Sequence, residues 1–230
     1  MTISSNDVAQ MIDHSLLHPT VSNQQLENGC QIARKYKVAS VCVKPHHVAL
    51  AAHYLNGSNV AVGTVCGFPH GNSLTAVKNK EAREAICQGA SEIDMVVNIG
   101  AVLSEEWELI KKEISILTES VHEQNGLIKV IFENCYLEDF HKIELCRICD
   151  NIGVDWIKTS TGFGQKEGRF YGATDDDLIL MRSHITKKVQ LKAAGGIKNL
   201  DRLLEVRALG CTRVGATATE TIMNEAIRTL

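Results

Sequence analysis

Eight short apolar runs, most of them separated by helix-length segments, constrain this chain more than any other feature of its sequence. They are Met11 to Ser15, Ser40 to Lys44, Asn59 to Cys66, Glu92 to Asn98, Leu127 to Glu133, Asp155 to Ser160, Gln190 to Ala194 and Thr212 to Gly215. Between them lie amphipathic stretches such as Leu74 to Gln88, Glu105 to Glu123, Asp175 to Thr186 and Leu200 to Leu209. Strands joined through helices pair in parallel, and eight such units close into a (β/α)8 (TIM) barrel of the α/β class. Gly89, Gly153 and Gly210 each follow a helical stretch and precede a strand by a few residues, where a left-handed cap turns the chain. The 230 residues suit one barrel better than two small domains, and three prolines with no low-complexity run leave no linker, so one domain over 1–230 is expected.

Composition narrows the partners. A net charge of −3 leaves no basic excess to collect the phosphates of a nucleic acid or an acidic membrane. No run approaches the roughly 18 apolar residues of a membrane span, and Met1 to Gln10 is polar without the regions of a signal peptide, which points to a cytoplasmic protein. Eight cysteines spread along a chain of this length read as reduced thiols. Cys146 and Cys149 form a lone C-x-x-C, but they share one face of the helix-like stretch Tyr136 to Asn151, and no second pair stands at zinc spacing. Core packing is the expected role of both.

The strands carry too much charge on one side. Alternation puts Ile93, Met95 and Val97 opposite Glu92, Asp94, Val96 and Asn98. It sets Val130 and Phe132 against Lys129, Ile131 and Glu133, and Leu191 against Gln190, Lys192 and Ala194. In Val154-Asp-Trp-Ile-Lys-Thr-Ser-Thr-Gly-Phe-Gly164, the residues Trp156, Lys158 and Ser160 share a face. Parallel strands buried on both sides should read as nearly continuous aliphatics. The aliphatic face therefore belongs to the outer helices and the charged face to the barrel interior, where charges are costly unless they pair or form a site. Lys158 and Lys192 each precede a glycine turn, Thr161-Gly162 and Gly195-Gly196, at the strand ends where barrels place their chemistry.

A lysine at its ordinary pKa of about 10.4 is almost wholly protonated at neutral pH, and lowering that value to about 7 raises the amine population about 10³-fold. Burial and a second cation do this, and Lys192 beside Lys158 supplies both. A neutral amine attacks an aldehyde to form an imine that draws electrons from a neighbouring C–C bond, and Asp94 stands where a proton shuttle is needed. Gly162, Gly195, Gly196 and Gly215 follow three late strands, where exposed backbone N–H groups wrap a small phosphate.

Seven ordered stretches carry a family resemblance: Ile12-Asp-His-Ser-Leu-Leu17, Ser40-Val-Cys-Val-Lys-Pro45, Thr64-Val-Cys-Gly-Phe-Pro-His-Gly71, Glu92 to Ala101, Lys129-Val-Ile-Phe-Glu-Asn-Cys135, Ile157-Lys-Thr-Ser-Thr-Gly-Phe163 and Lys192-Ala-Ala-Gly-Gly-Ile197. Along essentially its whole length the chain resembles the deoxyribose-phosphate aldolases. The resemblance implies a class I, metal-independent lyase without cofactor, which cleaves 2-deoxy-D-ribose 5-phosphate to D-glyceraldehyde 3-phosphate and acetaldehyde in deoxynucleoside catabolism, and a homodimer. It implies that Lys158 is the Schiff-base nucleophile. Lys192 is then the cation that depresses its pKa and a proton donor or acceptor, and Asp94 is the main proton donor and acceptor. Lys129 and Glu133 would support them from behind, Cys42 would line the site, and His14 and His70 would serve as structural hydrogen-bonding groups. Three departures stand out. Gln165 to Tyr171 is inserted after Gly162, with Lys166 and Arg169 expected in a solvated loop. After the last strand Thr217 keeps one hydroxyl for the phosphate while Ala218 loses another. The sequence ends at Leu230 where some members carry a tyrosine. Three rivals remain: a related class I aldolase with another donor, a metal-dependent aldolase, and a sugar-phosphate-binding barrel without turnover.

Overall fold

A computed structural model describes residues 3–166 and 168–230; Met1 and Thr2 of the polar N-terminal stretch and Glu167 of the inserted segment lie outside the described residues. All eight expected strands form. They are β1 (Ile12–Leu16), β2 (Ser40–Val43), β3 (Ala61–Cys66), β4 (Glu92–Val96), β5 (Leu127–Ile131), β6 (Trp156–Lys158), β9 (Gln190–Ala194) and β10 (Cys211–Ala216). Two further short strands, β7 (Gln165–Lys166) and β8 (Arg169–Phe170), pair antiparallel between β6 and β9. The eight close in the order β1-β10-β9-β6-β5-β4-β3-β2, every pair parallel, so no barrel edge is left open.

Each barrel strand is followed by an outer helix, among them Asn23–Tyr36, Thr75–Cys87, Trp107–His122, Asp139–Ile152, Asp175–Ser183, Leu200–Ala208 and Thr219–Thr229. Local chemistry sets their limits. The hydroxyls of Ser22 and Thr174 and the side-chain carbonyl of Asn199 accept N–H groups of the first turns, and Gly153 ends Asp139–Ile152 at φ +83°. Gly89 and Gly210 also take positive φ, as their place after a helix predicts. Ile12, Val41, Val43, Ile93, Met95, Ile128, Val130, Leu191 and Val214 point away from the barrel axis and are fully buried against helix residues such as Leu26, Ile110, Leu117, Leu145 and Leu203. Each such side chain stabilises the fold by about 1.5–3 kcal/mol. Cys146 and Cys149 belong to this layer, and all eight cysteines are unpaired.

Two strands are shorter than their sequence pattern. β5 stops at Ile131 and β6 at Lys158, so Glu133 and Ser160 lie past the last paired residues. Glu133 is in the left-handed region at φ +58°, and strand alternation does not govern where its side chain goes.

The barrel closes between the first and last strands, and His14 ties that seam to the final helix. Its Nδ1 lies 2.8 Å from Oγ1 of the buried Thr219, while its Nε2 is buried without a partner. Burial pushes the His14 imidazole down to about 4, from an ordinary value of 6.5. The unfolded chain therefore binds the proton first, and stability falls as pH drops from about 6.5 to about 4, then levels off. Fully expressed, this loss is on the order of 3 kcal/mol. Denaturant midpoints measured across that window should decline less in His14→Gln than in the wild type, and parallel profiles would remove His14 as the cause.

Candidate active site

The Asp94 carboxylate, fully buried on β4, receives three ammonium groups. Lys158 on β6 and Lys192 on β9 both donate to Oδ2 at 2.7 Å, and Lys129 on β5 donates to Oδ1 at 2.9 Å. The sheet register makes this possible, since Asp94 pairs across with Lys129 and Lys158 with Lys192. Alternation then turns all four side chains to the axis. The strand pattern had thus set Asp94, Lys129, Lys158 and Lys192 on the interior face, and the structure brings them together.

Beneath them lies a layer that the sequence reading did not assign. Lys129 also donates to Glu92 Oε2 at 2.6 Å and stands 3.5 Å from Asp13 Oδ2, and Lys192 bonds Asp13 as well. Arg213 on β10 bridges the floor, with one nitrogen on Asp13 and both terminal nitrogens on Glu92, at 3.2 and 2.9 Å. Its guanidinium carbon stands 5.2 Å from the centre of the Trp156 ring, whose Nε1–H donates to Thr212 Oγ1 at 2.9 Å. Asp13 and Arg213 sit in apolar runs with the same period-2 signal that exposed Asp94.

Environment separates the three lysines. Burial, with Lys192 alongside, holds Lys158 below the ordinary lysine value against the pull of Asp94. At Lys192 burial is outweighed by Asp13 and Asp94, and the ammonium is held above its ordinary value. Lys129 is held well above, because Asp94, Asp13 and Glu92 together overcome burial. Asp94 and Asp13 lie below the usual carboxylate range despite burial, Asp94 through Lys129, Lys158 and Lys192, and Asp13 chiefly through Lys192 and Lys129.

Above the cluster opens a cleft of about 590 Å³ at the C-terminal ends of the strands. Lys158 lines it together with Gly162, Gly195, Gly215 and Thr217, four of the five residues predicted to hold phosphate. Gly196, the fifth, is adjacent but does not line it, and neither do Lys192, Asp94 and Lys129. Cys42, expected as a lining residue, is a correction: it is buried below the opening, and burial pushes its thiol up to about 11. Glu133 is another. Lying past the end of β5, it accepts the Thr161 N–H at 3.2 Å and the Thr161 hydroxyl, so it fixes the turn after β6 and bonds none of the lysines. His70 is exposed on the loop after β3.

The inserted segment is a hairpin with Lys166 and Arg169 exposed, and its Phe170 lines the cleft. Its base is fixed at two points. The Tyr136 hydroxyl accepts the Gln165 N–H at 3.2 Å, and the Tyr171 N–H donates to the Gly164 carbonyl at 3.0 Å. Gly172 then passes against Gly195 so closely that a Cβ on it would lie 2.3 Å from the Gly195 carbonyl oxygen. On the outer side a fully buried ion pair pins the chain leaving β4: Lys78 donates to Glu113 and to the Val96 carbonyl, each at 2.8 Å, and Glu113 accepts the Asn98 N–H at 3.1 Å. Among the described residues no group of three or more His, Cys, Asp or Glu side chains is arranged to hold a metal ion. No helix among them is long and apolar enough to cross a membrane.

Comparison with known proteins agrees with this fold. The model of the DeoC/LacD family aldolases matches residues 7–217. The deoxyribose-phosphate aldolase of Rhodopirellula baltica is 51% identical over 225 residues, which cover 98% of this chain and 91% of that one. A solved aldolase structure, 33% identical, superposes with a TM-score of 0.89 and 96% of each chain covered. The tetrameric deoxyribose phosphate aldolase of Aeropyrum pernix shares the fold at a TM-score of 0.88 and 24% identity, with 98% of this chain and 93% of that one covered. The family model over residues 7–217 and a relative 51% identical across 98% of the chain place this closed barrel, with Lys158 in its cleft, in the DeoC/LacD family of aldolases.

Proposed function

We propose that the chain is a class I aldolase that reversibly cleaves 2-deoxy-D-ribose 5-phosphate to D-glyceraldehyde 3-phosphate and acetaldehyde through an imine on Lys158. What supports Lys158 over its neighbours is access: it lines the cleft, and among the cluster's three lysines it alone is held below its ordinary value. The open-chain aldehyde carbon is attacked by the Lys158 Nζ, and loss of water gives a protonated imine. A proton leaves the C3 hydroxyl, the C2–C3 bond breaks with its electron pair drawn toward the imine, and glyceraldehyde phosphate departs. The remaining enamine takes a proton at carbon, and water releases acetaldehyde and the free amine.

Asp94 touches both Lys158 and Lys192 through one oxygen, so a proton can pass between them without crossing solvent. In this reading Asp94 moves protons directly or through a water, and Lys192 remains the cation that discourages charge on Lys158 while relaying protons with Asp94. The phosphate lies at the far end of the cleft, against the backbone of Gly162, Gly195, Gly196 and Gly215 and the Thr217 hydroxyl. Ala218, at the N-terminus of the last helix, offers no second hydroxyl. We further infer one catalytic domain over 1–230, a homodimer, and a cytoplasmic location in deoxynucleoside breakdown.

Borohydride reduction with acetaldehyde present should leave a stable adduct on Lys158, read by mass spectrometry of the labelled peptide, and Lys158→Ala should abolish both adduct and turnover. An adduct on another lysine would move the site, and no adduct on folded protein would favour the binding barrel. Asp94→Asn should still form the imine yet lose about 10²-fold or more in kcat; undiminished turnover would remove Asp94 as the proton carrier. Gly172→Ala forces a Cβ onto the Gly195 backbone and should raise KM for the phosphorylated sugar about tenfold or more with a smaller change in kcat. Equal losses for acetaldehyde self-condensation, which needs no phosphate contact, would refute that assignment.

A further inference from the structure

We propose that Arg213 is a positioning residue that keeps the proton off Lys158, by leaving the barrel interior with one more cation than it has carboxylates to pair. The proposal rests on the imine reading of Lys158 and concerns how its free amine is maintained.

The titratable groups facing one another inside the barrel come from seven of its eight strands. β1 gives Asp13, β2 the thiol of Cys42, β4 Glu92 and Asp94, β5 Lys129, β6 Lys158, β9 Lys192 and β10 Arg213. β3 sets Gly63 and Val65 beside Glu92 and Asp94 and adds no charge. Beyond the strand ends Glu133 bonds the Thr161 N–H and hydroxyl, feels Lys158 at longer range, and forms no ion pair with the cluster. Burial keeps Cys42 a neutral thiol. Four cations therefore meet three carboxylates within ion-pair reach. In a low-dielectric interior the unbalanced proton is costly, and it leaves from the weakest site.

Arg213 decides which site that is. A guanidinium does not give up its proton, so its charge is fixed. It engages both Asp13 and Glu92, which would otherwise serve Lys192 and Lys129 alone. Those two lysines then draw more heavily on Asp94, and among the described residues Asp94 is the one carboxylate in ion-pair contact with Lys158. Without Arg213 the interior balances at three against three with Lys158 protonated. Arg213 does not line the cleft, so it acts through its neighbours and not on substrate.

A charge-compensation series tests this, reading the acid limb of the pH profile of kcat/KM and, separately, the pH dependence of imine trapping with acetaldehyde and cyanoborohydride. Arg213→Met should move the acid limb toward alkaline pH by about one unit. Glu92→Gln, which deepens the cation excess, should move it the other way, and the double variant should return close to wild type. Arg213→Lys, which restores a cation between Asp13 and Glu92, should stay within a few tenths of wild type. A purely structural role would lower rates in both single variants without opposite shifts. Unmoved limbs, or shifts of the same sign, would overturn the proposal. If Arg213→Met does not fold, the acid-ward shift in Glu92→Gln and the wild-type limb in Arg213→Lys still decide it. Absence of any wild-type imine on Lys158 would instead defeat the functional reading itself.

Discussion

The contact of one buried carboxylate, Asp94, with three ammonium groups on three different strands is the constraint from which the rest of the interior follows. Burying a lone charge costs several kcal/mol even after relaxation, so each member tolerates burial only while the others are in place. That condition fixes strand register. Asp94 must stand level with Lys129, and Lys158 level with Lys192, because a slip of one residue would turn a charged side chain out into the aliphatic layer against the helices. The same pairing that positions chemistry therefore selects one barrel closure among the alternatives, and apolar packing of the outer face supplies the stability that the charged core cannot.

How much of this was legible in the sequence depends on distance along the chain. Asp94, Lys129, Lys158 and Lys192 could be read from alternation within single strands, since each lies among aliphatics of opposite phase. Asp13 and Arg213 carry the same signal, yet they are 200 positions apart, and only closure of β1 against β10 puts them in contact. Glu133 was placed on the interior face by extending the alternation past the strand, but its left-handed backbone at φ +58° breaks the phase. It serves the turn after β6 instead. Cys42 shows a further limit: it was expected to line the site, but depth along the barrel axis, which decides that, is not encoded in a period of two.

The loops were less legible again, for a related reason. Nothing in Gln165 to Tyr171 alternates, and its two-residue strands are held by partners elsewhere, the Tyr136 hydroxyl and the Gly164 carbonyl. Gly172 follows the insertion directly, and its absent side chain lets the hairpin's exit lie on the backbone of Gly195, a residue of the cleft wall. Glycine spacing predicted where the backbone turns. It could not predict that two of those turns would rest on each other.

Three lysines of one interior make the underlying rule visible. Lys129, Lys158 and Lys192 are all at most 3% exposed, so burial disfavours the charge of each. Lys129 meets three carboxylates, Lys192 two and Lys158 one, and their pKa values run well above, above and below the ordinary lysine value in that order. Among these three, the direction of the shift thus follows the number of carboxylate partners and not depth. The lysine with the fewest is also the one of the three that lines the cleft.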